Sequence, residues 1–302
     1  MAELFGRAVA LTIAKPTGFF LQQGSNALVI RDMRVQFEIE KHLGREPNTC
    51  RVQVTNLAEN TRAAVQVKPL HVRLEAGYAG QVQRLFTGDL RWAHSQRVDA
   101  DWVTELELGD GERAFRHARV NRSYRAGVDV RTALAETAKS MGLTLPAEAA
   151  GLRSLSEQFA AGLSLSGVAA EEMTALLAPF GLSWSVQDGR LQILTADGTR
   201  ADQALLISQD TGMIGSPEFG PPDAAAPSTR ESTQPPTTAR IVRDSRKPVL
   251  TVRTLLKPTL IPGGKILVQA RAVKGLFKVT TVRHQGDTHG EPFESEIEAI
   301  PL

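Results

Sequence analysis

Two stretches of the chain, far apart in the sequence, contain the same succession of strand-like segments. The segments run in the order 72–76, Leu85-Phe86, His94 and 102–107 in the first stretch, and 266–270, Leu276-Phe277, His284 and 293–298 in the second. Alternation alone makes amphipathic strands look alike, because it places apolar residues at every second position. The shared order goes beyond alternation, and we infer that one β-unit occurs twice. A duplicated β-unit is more typical of a scaffold or a ring than of a catalyst.

The closing strands of the two stretches match position by position. Both read aromatic, any residue, hydroxyl, Glu, aliphatic, Glu, over 102–107 and 293–298, and upstream the repeat pairs Val52, Val54 and Leu57 with Leu250, Val252 and Leu255. Residues two apart on a strand share a face, so each closing strand projects two carboxylates to one side. These carboxylates belong to Glu105 and Glu107, and to Glu296 and Glu298. Such pairs can perform acid–base chemistry, but their recurrence favours a structural role, either as a solvated face or as a channel wall.

Composition sets wide bounds on the function. The chain has 302 residues, enough for two or three domains, and its 35 Lys and Arg nearly balance its 33 Asp and Glu, so charge gives no indication of nucleic acid. The single Cys50 excludes an intrachain disulfide and a cysteine-based zinc cluster. The apolar run at 8–13 is too short for a signal segment, and no stretch approaches the length of a membrane span. We expect a soluble protein made in the cytoplasm.

The pattern divides the chain into three parts, and the predicted fold class is α+β, mainly β. Residues 1–124 alternate with period two and contain one short helix near 56–62. Residues 125–202 predict a small α/β module with one helix after Asp129, a second near 168–178, and a hairpin around Asp188-Gly189. Residues 203–302 return to β, with a Pro-rich insertion at 220–248 that has almost no large apolar side chains and is expected to form a loop or an arm.

Motifs for catalysis or for binding small ligands fail on inspection. Residues 162–166 resemble a nucleophile elbow but end in Ser166 where the tight turn needs glycine. His284, Asp287 and His289 lie in a glycine-flanked loop with a spacing that suits no helical pair of metal ligands. The sequence therefore predicts no enzyme, and no catalytic, cofactor-binding or metal-binding residue.

One dense basic patch remains. It has two possible interpretations: contact with a phosphate backbone, or a subunit-contact surface on which Arg pairs with carboxylates of a neighbour. The second is favoured. The patch comprises Arg113, Arg116, Arg119, Arg122 and Arg125.

Several motifs together resemble the baseplate hub protein of contractile phage tails, over most of the chain. They are found at 37–40, 46–57, 75–78, 86–89, 101–102 and 109–111 in the first half, and at 211–217, 256–258, 261–263 and 284–288 in the second. The chain departs from that family at about 220–247, where the family has a short connection.

The resemblance implies two tail-tube-like antiparallel β-barrels on either side of the α/β module. It further implies a homotrimeric ring with pseudo-six-fold symmetry, located in the tail baseplate of a virion that is assembled in the host cytoplasm. Its partners would be the tail tube protein and the central spike, with wedge and tape-measure proteins beyond them and DNA as a transient cargo of the channel. No cofactor is implied.

Two alternatives stay open at this point. A hub or spike of a contractile injection or secretion machine would share the fold. A tail-associated cell-wall hydrolase would use the paired glutamates as acid and base.

Overall fold

A computed structural model describes residues 6–14, 27–67, 70–78, 81–146, 152, 157–220 and 247–302. The Pro-rich insertion predicted at 220–248 falls almost entirely on residues 221–246, outside the described part. Among the residues that the structure describes, no helix is both long and apolar enough to cross a membrane.

The first part of the chain forms antiparallel strands whose alternation places apolar side chains on one face. In the strand at 35–42, Val35, Phe37 and Ile39 are buried while Glu38 is exposed, as a half-buried strand requires. The elements are β1 (Arg7–Ala14), β2 (Leu28–Ile30), β3 (Val35–His42), β4 (Asn48–Thr55), α1 (Glu59–Val65), β5 (His71–Tyr78), β6 (Gln81–Val98) and β7 (Asp101–Asp110).

The middle part is the predicted α/β module. Asp188 and Gly189 both have positive φ, 53° and 76°, which is the backbone of the expected tight hairpin turn. Asp129 occupies the N-cap position of the first helix, as predicted, but makes no side-chain capping bond. The elements are a π-helical turn (Arg113–His117), β8 (Arg119–Tyr124), β9 (Val128–Asp129), α2 (Val130–Ser140), β10 (Gln158–Phe159), β11 (Leu163–Val168), α3 (Ala169–Leu177), a 3₁₀ turn (Ala178–Phe180), β12 (Leu182–Gln187) and β13 (Arg190–Thr195).

The last part is again β-rich. Its strands are antiparallel except for the parallel pairing of the first with the fourth. The elements are β14 (Leu205–Ser208), a 3₁₀ turn (Gln209–Thr211), β15 (Met213–Gly220), β16 (Val249–Leu255), β17 (Lys265–Gln269), β18 (Lys274–Asp287) and β19 (Phe293–Pro301). The predicted class, mainly β with an α/β module between two antiparallel β-units, is confirmed.

The two β-units have the same strand order. Within the main sheet, β3-β4-β7-β6-β5 of the first unit corresponds to β15-β16-β19-β18-β17 of the second, and β18 pairs with β3 to join them into one sheet of 13 strands. The long strands also share a β-bulge, which falls between Leu90 and Trp92 in β6 and between Val279 and Thr281 in β18. Bulges are specific local features, so their equivalent positions confirm the predicted duplication.

The ladders correct the alignment of the repeat at three points. Counting from the bulges, Ser95 opposite Thr104 corresponds to His284 opposite Ser295. The predicted equivalence of His94 and His284 is therefore wrong by one residue, and the two imidazoles lie on opposite faces. The same count makes Val252, and not Leu250, the counterpart of Val52, and it shifts the Leu85-Phe86 match by two residues. The matches of 72–76 with 266–270 and of the closing strands hold.

Three hydrophobic clusters follow the three parts of the chain. One centres on Leu11, Leu74 and Phe86 in the first β-unit; a second lies in the module; a third centres on Val252 and Val282. Ala114, Ala118 and Val120 pack in the module's cluster although they precede the boundary predicted at residue 124. The domain boundaries at 124 and 202 stay predictions.

Candidate functional site

The junction between the two β-units is a continuous antiparallel ladder. It runs from Thr281 opposite His42 to Asp287 opposite Gln36. Side chains reinforce it, since the Phe37 ring fills the space above Gly286, where a Cβ would overlap it, and meets Phe293 edge-on at 6.0 Å. The junction is thus a packed part of the core and not a loose contact.

The same sheet has a polar face on the side opposite the cores, spanning both units. Both predicted glutamate pairs lie on this face. Glu105 meets Arg51 at 2.9 Å; Arg283 meets Glu296 at 3.4 Å and Glu298 at 3.7 Å.

Carboxylates dominate the polar face although the whole chain carries a net charge of +2. The ladders place alternate residues of neighbouring strands side by side, so these charges form one field. The charged residues of the face include Glu38, Glu40, Arg51, Glu105, Glu107, Glu218, Arg253, Arg283, Glu294, Glu296 and Glu298.

The predicted basic patch lies outside the polar face, where the first β-unit meets the module. All five arginines are exposed: Arg113 and Arg116 on the π-helical turn, Arg119 and Arg122 on β8, and Arg125 just after it. The structure therefore keeps the patch together. Its role as a contact surface stays a prediction.

A chain of ion pairs connects the polar face with the basic patch. Glu107 lies 3.6 Å from Arg91, Arg91 lies 2.6 Å from Glu112, and Glu112 lies 2.6 Å from Arg116. The side chains of Arg91 and Glu112 are largely buried, whereas Glu107 and Arg116 at the two ends are exposed to solvent. The two outer pairs are therefore expected to contribute at most about 1 kcal/mol each. The chain of ion pairs links two groups of residues that the sequence analysis had treated separately.

Among the residues that the structure describes, β15 and the distal part of β6 each leave a strand edge open. In the part of the chain that the structure describes, β15 pairs only with β16. The other open edge is the distal part of β6, Trp92–Val98. Among the described strands it pairs with β7 alone, because the ladder of β6 with β5 ends at Asp89. Phe219 on β15 is 51% exposed, and Trp92 and Val98 are 44% and 45% exposed. Open edges with exposed apolar residues are sites at which another chain adds strands.

A buried polar cluster fixes the module hairpin beneath the junction. Lys41 Nζ donates to both oxygens of Asp188, at 2.8 and 2.9 Å. Asp110 accepts backbone hydrogen bonds from Asp188 and Gly189. Burial, followed by the charge of Asp188, raises the pKa of Asp110 to about 7.

The residues considered as metal ligands lie at the junction. His284 and Asp287 belong to β18, and not to a loop as predicted, while His289 follows that strand. The Asp287 carboxylate accepts hydrogen bonds from Arg34 at 2.8 Å and Gln36 at 2.9 Å. Burial alone would raise the pKa of Asp287, but these bonds and one from the His289 backbone hold it below its ordinary value. His284 lies inside, with Nδ1 2.8 Å from Ser295 Oγ; burial, and then the nearby Lys41 charge, holds its pKa well below the ordinary value.

The sequence analysis missed Lys41, Arg91 and Phe219. Lys41 continues the series of every second residue begun by Val35, Phe37 and Ile39, so it lies on the buried face of its strand. A lysine at such a position was a signal for a buried ion pair. The edge role of Phe219 had no local signal, because it depends on which strands become neighbours.

The comparisons place this fold among tail proteins. The sequence matches no protein-family model and no protein of curated function. The structure is similar to a 43 kDa prophage tail protein from Shewanella oneidensis, with a TM-score of 0.61, 11% identity and 98% of each chain covered. It is also similar to a tail protein from Neisseria meningitidis, with a TM-score of 0.58, 12% identity, and 98% of this chain and 97% of that one covered.

A third similar structure comes from a secretion system. It is an Escherichia coli component of the type VI secretion system with structural similarity to the T4 bacteriophage tail proteins gp27 and gp5; the TM-score is 0.57, the identity 14%, and the cover 93% of this chain and 76% of that one. The chain thus has the fold of phage tail proteins and of a type VI secretion component. The resemblance found in the motifs is confirmed at the level of the fold.

Proposed function

We propose that this protein is a structural baseplate hub of a contractile phage tail. Three copies form a ring with pseudo-six-fold symmetry that joins a hexameric tail tube to a trimeric central spike and encloses the channel for the genome. The protein acts by assembly and carries no active site. Its place is the tail baseplate of the virion.

The observation that carries the proposal is the repetition of one strand order within a single sheet. The chain already contains one joint between two such units, the ladder of β18 with β3. A unit that binds the next unit head-to-tail generates a ring when the rotation closes. Three chains of two units each then present six similar positions on a threefold body.

The polar face supports a role as channel wall. Closing three copies of the eight strands from β15 to β6 gives a backbone diameter of at least about 37 Å, since adjacent strands lie about 4.8 Å apart. A barrel of that size leaves an aqueous channel. Its excess of carboxylates would repel phosphates and let nucleic acid pass without being held.

The arrangement of the glutamate pairs favours the structural role over the hydrolase. Glu105 and Glu107 lie side by side on an open sheet face, each next to an arginine. A glycosidase instead places two carboxyl groups on either side of a bond in a cleft. Replacing Glu105 and Glu107 with Gln and assaying peptidoglycan cleavage tests this point, with no change expected from a baseline of no activity.

Imaging of the assembled particle tests the ring. We expect class averages of the purified protein, alone and with its spike, to show a ring with threefold symmetry and six similar lobes. A monomer or a true hexamer under both conditions would contradict the proposal.

A second candidate function is the corresponding hub or spike component of a contractile injection or secretion machine. The similarity to the type VI secretion component favours it nearly as much as the tail proteins favour the first, with TM-scores of 0.57 and 0.61. Neighbouring genes for sheath, tube and capsid proteins would separate the two.

A further inference from the structure

We infer that the open edge of β15 in one copy pairs with the open Trp92–Val98 edge of a second copy, in the register already used inside the chain. This inference rests on the proposed ring and identifies the surface through which copies join. It predicts an antiparallel joint with Glu218 opposite Gln96 and Phe219 opposite Ser95.

The internal joint supplies the template. There, β3 of the first unit lies along the distal half of β18, beyond its bulge. The counterpart of β3 is β15, and the counterpart of the distal half of β18 is Trp92–Val98 of β6. Both counterparts have an open edge in the described structure, so each is one half of a joint of the same kind.

The register follows from residue equivalences. In the first unit, Glu38 lies opposite Arg51, which lies opposite Glu107. In the second unit, Glu218 lies opposite Thr251, which lies opposite Glu298. Since Glu107 and Glu298 are equivalent, Glu38 and Glu218 are equivalent too. Gln285 corresponds to Gln96 by the count from the bulges. Since Gln285 lies opposite Glu38 in the chain, Gln96 of one copy is expected opposite Glu218 of the next.

The exposed apolar groups at these edges fit this joint. Phe219 corresponds to Ile39, which is completely buried under the internal joint. The 51% exposure of Phe219 would be removed by the arriving strand of the second copy. At the far end of the joint, Ile214 would meet Val98, which is 45% exposed.

The two open edges of one copy, on β15 and on the distal part of β6, do not pair with each other in the described structure. In the order of the sheet, β15 stands first, and six strands lie between it and β6. Pro217 lacks a backbone N–H but lies in the bulge between Ile214 and Glu218, a position that sheets tolerate. The residues Glu218–Gly220 beyond it are left to form the ladder.

Disulfide trapping of the full chain tests the register. The variant Q96C/E218C places a thiol on each edge, and E38C/Q285C is the matched control within the chain. Directly opposed residues of antiparallel strands have Cβ atoms about 4.5–5.5 Å apart, within reach of a disulfide after a small adjustment. The out-of-register control is S95C/E218C, in which one thiol faces the other side of the sheet. Burial raises the pKa of the native Cys50 thiol, so it does not compete.

We expect Q96C/E218C to give covalent dimers and trimers on mild oxidation, at least about tenfold more than S95C/E218C, while E38C/Q285C cross-links within monomers. A ladder that ends at three copies supports both the joint and the ring. A ladder that continues past three supports the joint and contradicts the three-copy ring. Trimers seen by light scattering without a Q96C/E218C product would overturn the joint and leave the ring standing, whereas a protein that stays monomeric without any intermolecular product would overturn both.

Discussion

The two β-units share a strand order but differ in what covers their first strand. In the first unit, β3 lies under β18, and Ile39 is completely buried. In the second unit, the outer edge of the corresponding strand β15 is open among the described residues, and the counterpart of Ile39, Phe219, is 51% exposed. A duplication therefore copies both the fold and the strand edge that is able to pair. Whether a residue near that edge is buried depends on whether another strand pairs with the edge.

The units also differ in how the module holds them. The first is held by the buried Lys41–Asp188 ion pair. The second is held by the Gln192 amide, which donates to the Pro262 carbonyl at 3.1 Å, and by Lys278, which donates to the Ala196 carbonyl at 2.7 Å. The attachment of the first unit thus adds a buried ion pair to bonds with backbone carbonyls, whereas that of the second combines such bonds with the exposed Lys247–Asp197 pair.

The largest predicted effect concerns the attachment of the first unit. Lys41→Met should lower the free energy of unfolding by about 3–5 kcal/mol, because it leaves Asp188 and Asp110 buried without a cation. Gln192→Ala, at the second unit, should cost only about 1 kcal/mol. Urea unfolding followed by circular dichroism measures both, and equal losses would contradict the difference between the two attachments.

The next effect compares the two matched edge residues. Ile39→Ala should cost about 2–5 kcal/mol, because it opens a cavity in a packed joint. Phe219→Ala should change the stability of the isolated chain by less than about 1 kcal/mol, yet weaken association of copies. Chemical unfolding of dilute protein, together with sedimentation at high concentration, separates these results; a large stability loss for Phe219→Ala would show that β15 is already covered.

The third prediction concerns the pH dependence contributed by the first unit. The pKa of Asp110 is raised from 3.8 to about 7, so the native state binds more protons than the unfolded state between these values. Stability from this group therefore decreases as pH rises through that window, by up to roughly 1.4 kcal/mol for each pKa unit. The corresponding position in the second unit is Pro301, which does not titrate.

Comparing Asp110→Asn with the parent chain isolates that contribution. In urea titrations, the stability of the parent relative to the variant should fall as the pH rises to about 7 and level off above it. Asp99→Asn, at the exposed β6–β7 turn, is the matched control for the removal of one carboxylate. A flat difference for Asp110→Asn would refute the assignment.

The smallest effect compares the ion pairs of the polar face. Arg283 reaches Glu40, Glu296 and Glu298, whereas Arg51 contacts Glu105. Arg283→Gln should cost more than Arg51→Gln, although each stays below about 1 kcal/mol because the groups face solvent. Both losses should shrink at about 1 M salt, where charges are screened; losses that do not respond to salt would point to packing instead.

Local patterns were enough to predict much of the fold. Alternation gave the strands, Asp188-Gly189 gave the hairpin, and the order of segments gave the duplication. The equivalence of His94 with His284 failed because an extra residue changes the phase of a strand and moves a side chain to the other face. The pairing of β18 with β3 could not be predicted, since a ladder between residues so distant in sequence depends on the assembled fold.

The bulge that β6 and β18 share has a consequence for the pitch of the assembly. Close to its bulge, β18 changes partner from β17 to β3, and at the equivalent point β6 loses β5. A unit that pairs with the distal half of either strand therefore cannot slide along it without moving that irregularity. A slip of two residues would raise each unit by about 6.8 Å relative to its neighbour, and successive units would climb into a helical ramp. By fixing the height at which units meet, one extra residue per strand can keep the ends of the assembly level.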